Sequence, residues 1–525
     1  MKAQRERNNG SNNGDIQLQA AKSVKISART LLWESAAILV LAILAAGGTL
    51  VWRLSQGPLD LSFLKPQVEA ALTDARGGLP VTLQGVALEW SQDRRRIEAA
   101  ARGLRAYDEN GGLMGDAARA VIAVDSASLI RGRIKTLGVR LEDGAAKLWR
   151  AEDGNWSTSP PRADEVTNAE PPSTNLDLSN WRTFLPPIRR AIADQSFERV
   201  DLENFTLELI DAANGVTWVA QPLSGAWRAD TDGVSLKLEA ALRGEGAPTR
   251  ASFSASADAE VESLSASIEL DGVTLSQMAD LFAPADLPVA FEGATNVSLS
   301  ATASEDLGVE TIELSASSNG GQFVWGDLTR NVDRLAIDIG LDIAGRQLDI
   351  VDFDVDAEGF GGRYSARVDL EEFFEGVEAP DFPITLSAED IVFDATPMFE
   401  APWSISSLEL GGRVNPAERT LDIGRAIGSA GSFNATASGE IYLGEFDGVT
   451  EVGVRLEAAG EGASTEDALA FWPVNLGKGA RDWVKQNVSA GRITEAVYAM
   501  NFPPGANSRG FLDNDVLNLA FSLEG

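Results

Sequence analysis

The sequence predicts a mainly β fold, built from antiparallel strands and a few short helices and preceded by one N-terminal transmembrane helix. A long apolar run from Leu31 to Val51 supports the transmembrane helix, because about 20 apolar residues are needed to cross the hydrocarbon core of a bilayer. Alternating apolar and polar residues dominate residues 200–460, and this period of two indicates strands with one apolar face. Turn residues recur about every ten residues there, which favours short antiparallel connections.

The transmembrane helix is predicted over residues 31–53. Glu34, the only ionisable residue of the apolar run, lies near its start, and residues 1–30 contain six basic against two acidic side chains. By the positive-inside rule, this tail stays in the cytoplasm and the rest of the chain lies across the membrane. A cleaved signal peptide, with Ala45 and Ala46 as small residues, is the alternative, but the long basic tail and long apolar run favour a retained anchor. The residues expected to anchor the chain are Trp33, Ile38, Leu39, Leu41, Ile43, Leu44, Leu50, Val51 and Trp52.

Composition excludes most catalytic chemistry. The chain has no histidine and no cysteine, which removes the usual zinc sites and the nucleophilic triads that depend on a histidine base. Paired carboxylates could still act, but 78 acidic residues offer too many pairs to single one out. The net charge of −34 opposes binding to nucleic acid. We therefore expect a non-enzymatic protein without a cofactor or metal.

Sequence patterns also divide the first part of the chain. A membrane-proximal helix and β region is predicted over residues 54–156, with its helix from Phe63 to Arg76 capped by Ser62. Residues 157–178, rich in Pro, Ser, Asn and Glu, are predicted to form a linker or long loop. An amphipathic helical segment, interrupted by two prolines, is predicted over residues 179–199.

The β-rich region over residues 200–460 is predicted to place apolar residues on one side of its strands. In VDFDVDAE, from Val351 to Glu358, three aspartates have the spacing of a calcium loop, but Ala357 stands where that loop requires glycine. A strand with an acidic solvent face is therefore favoured. The number of strands predicted exceeds that of one ordinary sheet. The fold is therefore either several β-sandwich domains or one strongly curled sheet. The residues expected on the apolar side are Phe205, Leu207, Leu209, Val234, Leu236, Leu238, Leu335, Ile337, Ile339, Leu341, Ile343, Val351, Phe353 and Val355.

Near the C-terminus the pattern becomes helical. A helical segment is predicted over residues 461–490, in which Ser464 caps a helix through Phe471, Pro473 ends it, and a second helix runs from Ala480 to Asn487. The segment either covers the end of the sheet or controls access to an apolar channel. Phe471, Trp472 and Trp483 are expected to share an apolar face, and with Val484 they are the candidates for such a gate.

Two segments of the chain resemble a known family. The segment FWPVNLGKGARDWVKQNVSAGRITEAVYAMNFPP, Phe471 to Pro504, has the aromatic-Trp-Pro start, the Arg-x-Trp-Val helix and the Gly-x-Ile turn that recur in the YhdP-type branch of the AsmA-like proteins. The stretch LDLSFLKPQVEAAL from Leu59 to Leu72, with LQGVALEW ending at Trp90, is similar to the region directly after the membrane anchor in the same proteins. Such proteins usually continue further, so the β region predicted over residues 491–525 is expected to be truncated at its C-terminus.

The resemblance implies an elongated, curled, groove-like antiparallel β-sheet in a single-pass protein of the bacterial inner membrane. The N-terminus would be cytoplasmic and the bulk of the chain periplasmic. The implied groove carries phospholipids toward the outer membrane and is lined by the aliphatic residues named above, and the implied partners are phospholipids, the inner membrane and outer-membrane or envelope proteins. The alternative function is an envelope assembly or scaffold factor for outer-membrane proteins, which would bind them at its sheet edges.

Overall fold

The computed structural model describes Leu41, Thr49, residues 52–54 and most of residues 56–524. The gaps in that last range are residues 77, 92–95, 109–110, 125–135, 151–155, 158–198, 212–215, 244–247, 275–288, 305–307, 326–327, 395, 397–398, 475–476, 489 and 506–515. The predicted basic tail, nearly all of the linker and the helical segment before Arg199 therefore lie outside the described residues.

The predicted transmembrane helix falls almost wholly outside the described residues as well. Of its expected anchor residues, only Leu41 and Trp52 are described, and both are exposed. The described parts of the chain contain no helix with the length and apolarity that crossing a membrane requires. The other anchor residues outside the described set are Trp33, Ile38, Leu39, Ile43, Leu44, Leu50 and Val51.

The chain divides into two compact units. One consists of Met1–Asp60 with Leu88–Ile97, and the other of Leu61–Ala87 with Glu98–Gly525. Among the described residues, the first unit contains the two-residue strand β1 (Leu59–Asp60) and parts of two further strands, at residues 88–91 and 96–97. The second unit contains most of the strands.

The strands β2 to β26 follow β1 in chain order. They are β2 (Val81–Thr82), β3 (Gly85–Ser91), β4 (Arg96–Tyr107), β5 (Leu113–Val124), β6 (Thr136–Arg150), β7 (Trp156–Ser157), β8 (Arg199–Asp211), β9 (Val216–Asp230), β10 (Gly233–Arg243), β11 (Thr249–Asp258), β12 (Ser263–Val273), β13 (Val289–Glu292), β14 (Thr295–Ser304), β15 (Gly308–Ser318), β16 (Gly321–Trp325), β17 (Leu328–Asp342), β18 (Gln347–Ala357), β19 (Phe360–Asp369), β20 (Phe382–Phe393), β21 (Trp403–Asn415), β22 (Thr420–Ala430), β23 (Phe433–Phe446), β24 (Val449–Glu461), β25 (Arg492–Phe502) and β26 (Leu517–Glu524).

The helices of the described chain are short. They are a 3₁₀ turn (Ser62–Leu64), α1 (Lys65–Ala75), α2 (Glu371–Phe374), α3 (Thr465–Ala470) and α4 (Lys478–Asn487). The predicted cap at Ser62 is wrong, because its side chain caps neither helix and Ser62 lies inside the 3₁₀ turn. Instead α1 starts at Lys65 and has a proline in its first turn, where the missing N–H costs nothing.

The mainly β prediction is confirmed, and the strands form a large curled sheet with few short helices. Most strands pair antiparallel with the next strand in the chain, as in β9 with β10 and β23 with β24. The prediction of a wholly antiparallel sheet is wrong at one pair, because β6 and β8 are parallel. Parallel neighbours need a long connection, and residues 151–198 between these strands supply one.

Helix α1 packs on the first strands of the second unit. Val68 and Leu72 of α1 contact a buried cluster that includes Leu83, Ala101 and Ala120. Burial of these aliphatic side chains fixes α1 over β4 and β5. Each Å² of apolar area removed from water stabilises this packing by about 25 cal/mol.

Candidate functional site

One row of apolar residues crosses twenty strands of the sheet. Residues that pair across neighbouring strands share a face, so the registers can be followed from strand to strand. Starting at Ile339 in β17, the row passes to Leu314 in β15 on one side and to Ile350 in β18 on the other. We call this row the apolar rung. Its members are Ala101, Ala120, Leu141, Leu202, Gly225, Leu238, Phe253, Ile268, Leu299, Leu314, Ile339, Ile350, Ala366, Leu386, Leu410, Ala426, Ala437, Ala458, Tyr498 and Leu519.

The rung is long and carries no charge at neutral pH. At the usual strand separation of about 4.8 Å, it follows the sheet for roughly 90 Å. We call the face that contains it the apolar face. The ten rung residues from Leu238 to Leu410 are all half-buried. Residues at the centre of a closed sandwich core would be buried more completely, so the apolar face is open along this stretch.

The opposite face of the same strands is polar. The row next to the rung contains Lys237, Ser254, Ser267, Ser300, Glu313, Gly340, Asp349, Arg367, Thr385, Gly411 and Arg425. Cross-strand hydrogen bonds connect many of these side chains, including Ser254 Oγ with Ser267 Oγ at 2.8 Å and Arg367 Nε with Asp349 Oδ1 at 2.7 Å. Hydrogen-bonding and charged side chains therefore lie on one face of the sheet, and the rung residues from Leu238 to Leu410 on the other face offer none.

Most residues expected on the apolar side do lie on the apolar face. Register and period two place twelve of the fourteen there: Phe205, Leu207, Leu209, Val234, Leu236, Leu238, Leu335, Ile337, Ile339, Leu341, Phe353 and Val355.

Ile343 and Val351 depart from the predicted alternation. β17 ends at Asp342, so Ile343 lies in the following turn, where its N–H still donates to the carbonyl of Glu310 at 2.8 Å. Val351 lies where the register of β18 shifts against both neighbouring strands, and its side chain is 66% exposed. A bulge adds one residue to a strand and resets its alternation, which is why Ile350 and Phe353, three positions apart, share the apolar face.

Two helices cover the apolar face near its C-terminal end. We call α3, α4 and the residues between them the helical cap. The prediction that Ser464 caps the first helix of this segment is confirmed: Asp467 N–H donates to Ser464 Oγ at 3.0 Å, and Ser464 N–H donates to Asp467 Oδ2 at 3.1 Å. This reciprocal capping box satisfies two backbone donors at the start of α3.

Aromatic contacts fix the helical cap to the sheet. The ring of Phe471 lies 5.2 Å from that of Trp403 and 6.0 Å from that of Phe433. The ring of Trp472 lies 6.3 Å from that of Phe521, and Trp403 Nε1 donates to the carbonyl of Ala470 at 3.2 Å. Each ring pair adds about 0.5–1.5 kcal/mol beyond the burial of its area.

The expected apolar face of Phe471, Trp472 and Trp483 is only partly formed. Phe471, Trp472 and Val484 line one cavity, whereas Trp483 is 60% exposed. The reason is the rotation of α4, which turns Arg481 and Val484, three residues apart, toward the sheet.

The cavity beneath the helical cap has a volume of about 300 Å³. Its floor is the part of the sheet where the apolar residues become small, at Ala426, Gly428, Ala435, Ala437, Ala458 and Gly460. Its walls are aromatic and include Trp403, Phe433, Phe471, Trp472, Tyr498 and Phe521. Burial raises the pKa of Tyr498 to about 12, so its hydroxyl stays neutral.

A charged contact holds α4 to the loop between β20 and β21. Arg481, which is 5% exposed, donates from Nη2 to Glu400 Oε2 at 2.6 Å and from Nε to the carbonyl of Trp472 at 3.2 Å. Lys485 Nζ donates to Glu400 Oε1. The hydrogen bonds from Lys485 and Arg481 lower the pKa of Glu400 from its ordinary 4.5 to about 2.

The attachment of α4 is expected to weaken at acid pH. Because the pKa of Glu400 is lower in the folded protein, its contribution is complete above pH 4.5 and is lost as the pH falls through about 2. Hydrogen exchange of the α4 amides, measured in the wild type and in Glu400→Gln, checks this expectation. The substitution lies outside α4, so the intrinsic exchange rates of the α4 amides are the same in both proteins. We expect the wild-type protection of α4 to exceed that of the variant at pH 6 and to approach it near pH 2. Equal protection at pH 6 would contradict the role of this carboxylate.

Sequence reasoning did not find Glu400, Trp403, Phe433 or Phe521 as part of this site. They belong to distant strands and loops that only the registers bring together, and no local pattern marks them. A partial signal was present in α4, whose three cations in ten residues stand out in a chain with 78 acidic residues.

The described residues offer no group of three or more Asp and Glu side chains arranged to hold a metal ion. What the site presents is an extended apolar face, open in its middle and covered near both ends by helices. When the chain was compared with protein-family models, with curated proteins and with solved structures, no match was found.

Proposed function

We propose that this protein is a non-enzymatic conduit for phospholipids. The observation that carries the proposal is the apolar rung, an uncharged row through twenty strands whose middle part is open. In the proposed arrangement, acyl chains lie on the apolar face and headgroups remain in water. The predicted anchor over residues 31–53 fixes the chain in the bacterial inner membrane, and its bulk lies in the periplasm and passes lipid toward the outer membrane.

The energetics of an acyl chain support this use of the face. Each CH₂ group removed from water contributes about 0.8 kcal/mol, so a chain of ordinary length prefers an apolar surface strongly. The apolar lining between Leu238 and Leu410 is continuous, and no charged residue interrupts the rung. A bound chain can therefore move along it without crossing a large barrier.

The charge of the chain supports the same proposal. With a net charge of −34, the protein repels anionic headgroups and anionic membrane surfaces from its polar face. Lipid is then held by its acyl chains, and the protein stays soluble around an exposed apolar face.

A transfer assay tests the proposed function. The full chain is reconstituted in donor vesicles that contain a fluorescent, self-quenched phospholipid, and dequenching is followed after acceptor vesicles are added. We expect transfer about tenfold or more above protein-free vesicles, because the face lowers the cost of taking a chain through water. Transfer at the protein-free rate would contradict a conduit. Capture of unfolded outer-membrane protein without lipid transfer would favour the scaffold function instead.

A further inference from the structure

We propose that the cavity beneath the helical cap is a discrete holding site for one acyl chain of a phospholipid. This inference rests on the proposed function and adds to it a place where a chain stops. The described middle of the face, from Leu238 to Leu410, is open, whereas here α3 and α4 cover the face and leave a cavity beneath them.

The cavity has the size and lining of an apolar ligand site. Its volume of about 300 Å³ is at the lower end of the range for ligand pockets, about 300–1,000 Å³. The space exists because Ala437 and Ala458, a cross-strand pair, replace the larger aliphatic residues found earlier along the rung. Cavities with predominantly apolar walls accept apolar molecules.

A buried hydroxyl in the cavity wall indicates that the ligand also has a polar acceptor. Thr465 is 7% exposed and lines the cavity, and its Oγ1 has no hydrogen-bond partner among the described residues. A buried hydroxyl without a partner is destabilising, because it has lost its hydrogen bonds to water. The ester carbonyl of an acyl chain is an acceptor of the kind that this hydroxyl lacks, and a plain hydrocarbon offers none.

Charge at the rim supports a phospholipid as the source of the chain. Helix α4, whose Val484 lines the cavity, carries Lys478, Arg481 and Lys485. Arg481 and Lys485 donate to Glu400, and Lys478 Nζ lies 3.2 Å from Asp482 Oδ2, so three cations face two acids at this rim. In a chain with 44 basic and 78 acidic residues, this local excess of positive charge is complementary to a phosphate headgroup.

The experiment maps where a photo-reactive lipid sits. The full chain in vesicles is given phosphatidylglycerol with a diazirine near the end of one acyl chain, irradiated, and analysed by peptide mass spectrometry. We expect adducts on the cavity walls, for example at Phe433 and Phe521, as well as on the open face around Ile339. Ala458→Phe fills the cavity and should lower the wall adducts about tenfold while leaving those around Ile339 unchanged.

Ala336→Phe is the matched control. Ala336 is also half-buried within a strand, but its pairs Ser317 and Asp354 place it on the polar face, outside the cavity and outside the proposed lipid path. We expect it to leave the wall adducts at the wild-type level. The holding site would be overturned if Ala458→Phe left the wall adducts unchanged. It would also be overturned if the wild type were labelled around Ile339 but not on the cavity walls. Neither result would contradict the conduit. If adducts formed neither on the cavity walls nor around Ile339, both the holding site and the conduit would be overturned.

Two further arms complete the test. Thr465→Val keeps the side-chain shape, so it serves if Ala458→Phe does not fold. We expect it to lower wall labelling about threefold through the lost hydrogen bond, and unchanged labelling would overturn the role of the hydroxyl. A free fatty acid with the same diazirine tests the source. Wall labelling by the free acid but not by the phospholipid would overturn the assignment to phospholipid.

Discussion

Ile339→Asp is expected to reduce phospholipid transfer to near the protein-free rate. Ile339 is half-buried in the middle of the apolar rung, between Leu314 and Ile350. A carboxylate there would have to lose water whenever an acyl chain passed, and a charge desolvated without a partner costs several kcal/mol. At 1.4 kcal/mol for each factor of ten, a penalty of several kcal/mol is enough to remove the roughly tenfold stimulation expected of the wild type. The vesicle assay measures it directly.

Ser317→Asp is the matched control for this charge. Ser317 lies exposed on the polar face of β15 and pairs with Ala336 and Asn296, so the new carboxylate stands directly opposite no other acid. We expect wild-type transfer, because the added carboxylate stays in water. An equal loss of transfer in both variants would indicate general damage to the sheet. Unchanged transfer by a folded Ile339→Asp protein would mean that lipid does not pass over this stretch of the rung.

Arg140→Met is expected to lower the free energy of unfolding by about 3–5 kcal/mol. Arg140 and Glu98 are 6% and 1% exposed, and Arg140 Nη2 donates to Glu98 Oε2 at 3.0 Å. Arg140 Nε also donates to Glu142 Oε1 at 2.5 Å. Removal of the guanidinium leaves Glu98 buried with a more distant cation, Arg119, whose Nη2 lies 3.8 Å away. Urea denaturation of the purified protein measures the loss.

An exposed ion pair provides the comparison. Arg334 Nη2 lies 2.9 Å from Asp354 Oδ1, a distance close to that of the buried pair, but the side chain of Arg334 is 57% exposed. We expect Arg334→Met to change the free energy of unfolding by less than about 1 kcal/mol. Similar losses in the two variants would mean that burial does not determine how much the ion pairs of Arg140 contribute to the free energy of unfolding.

The apolar face could be predicted within strands but not between them. Period two is a local property, so residues such as Ile337 and Leu341 could be assigned to one side of β17 from the sequence alone. Whether that side continues into β15 and β18 depends on register. Register is set by turns and bulges, and nothing in the sequence around Val351 marked the bulge that displaces it.

The helical cap shows the same limit. Ser464 and Asp467 have the spacing of a capping box, which is local, and that start was predictable. The rotation of α4 was not, because it depends on Gly477, which has a left-handed φ of 54°, and on packing against the sheet. The pairing of Glu400 with Arg481 joins residues 81 positions apart. The parallel pair of β6 and β8 likewise depends on where a long connection returns.

Photo-crosslinking from adjacent residues tests the conduit most directly. A photo-reactive amino acid is placed, one site at a time, at Leu238, Ile337 and Leu410 on the apolar face and at their neighbours Lys237, Asp338 and Glu409 on the polar face. Neighbours in a strand point to opposite faces, so each pair has the same local backbone and differs in face. We expect phospholipid adducts at all three apolar sites and at none of the polar sites. Adducts at equal levels on both faces, or none at the apolar sites, would contradict a conduit along the apolar rung.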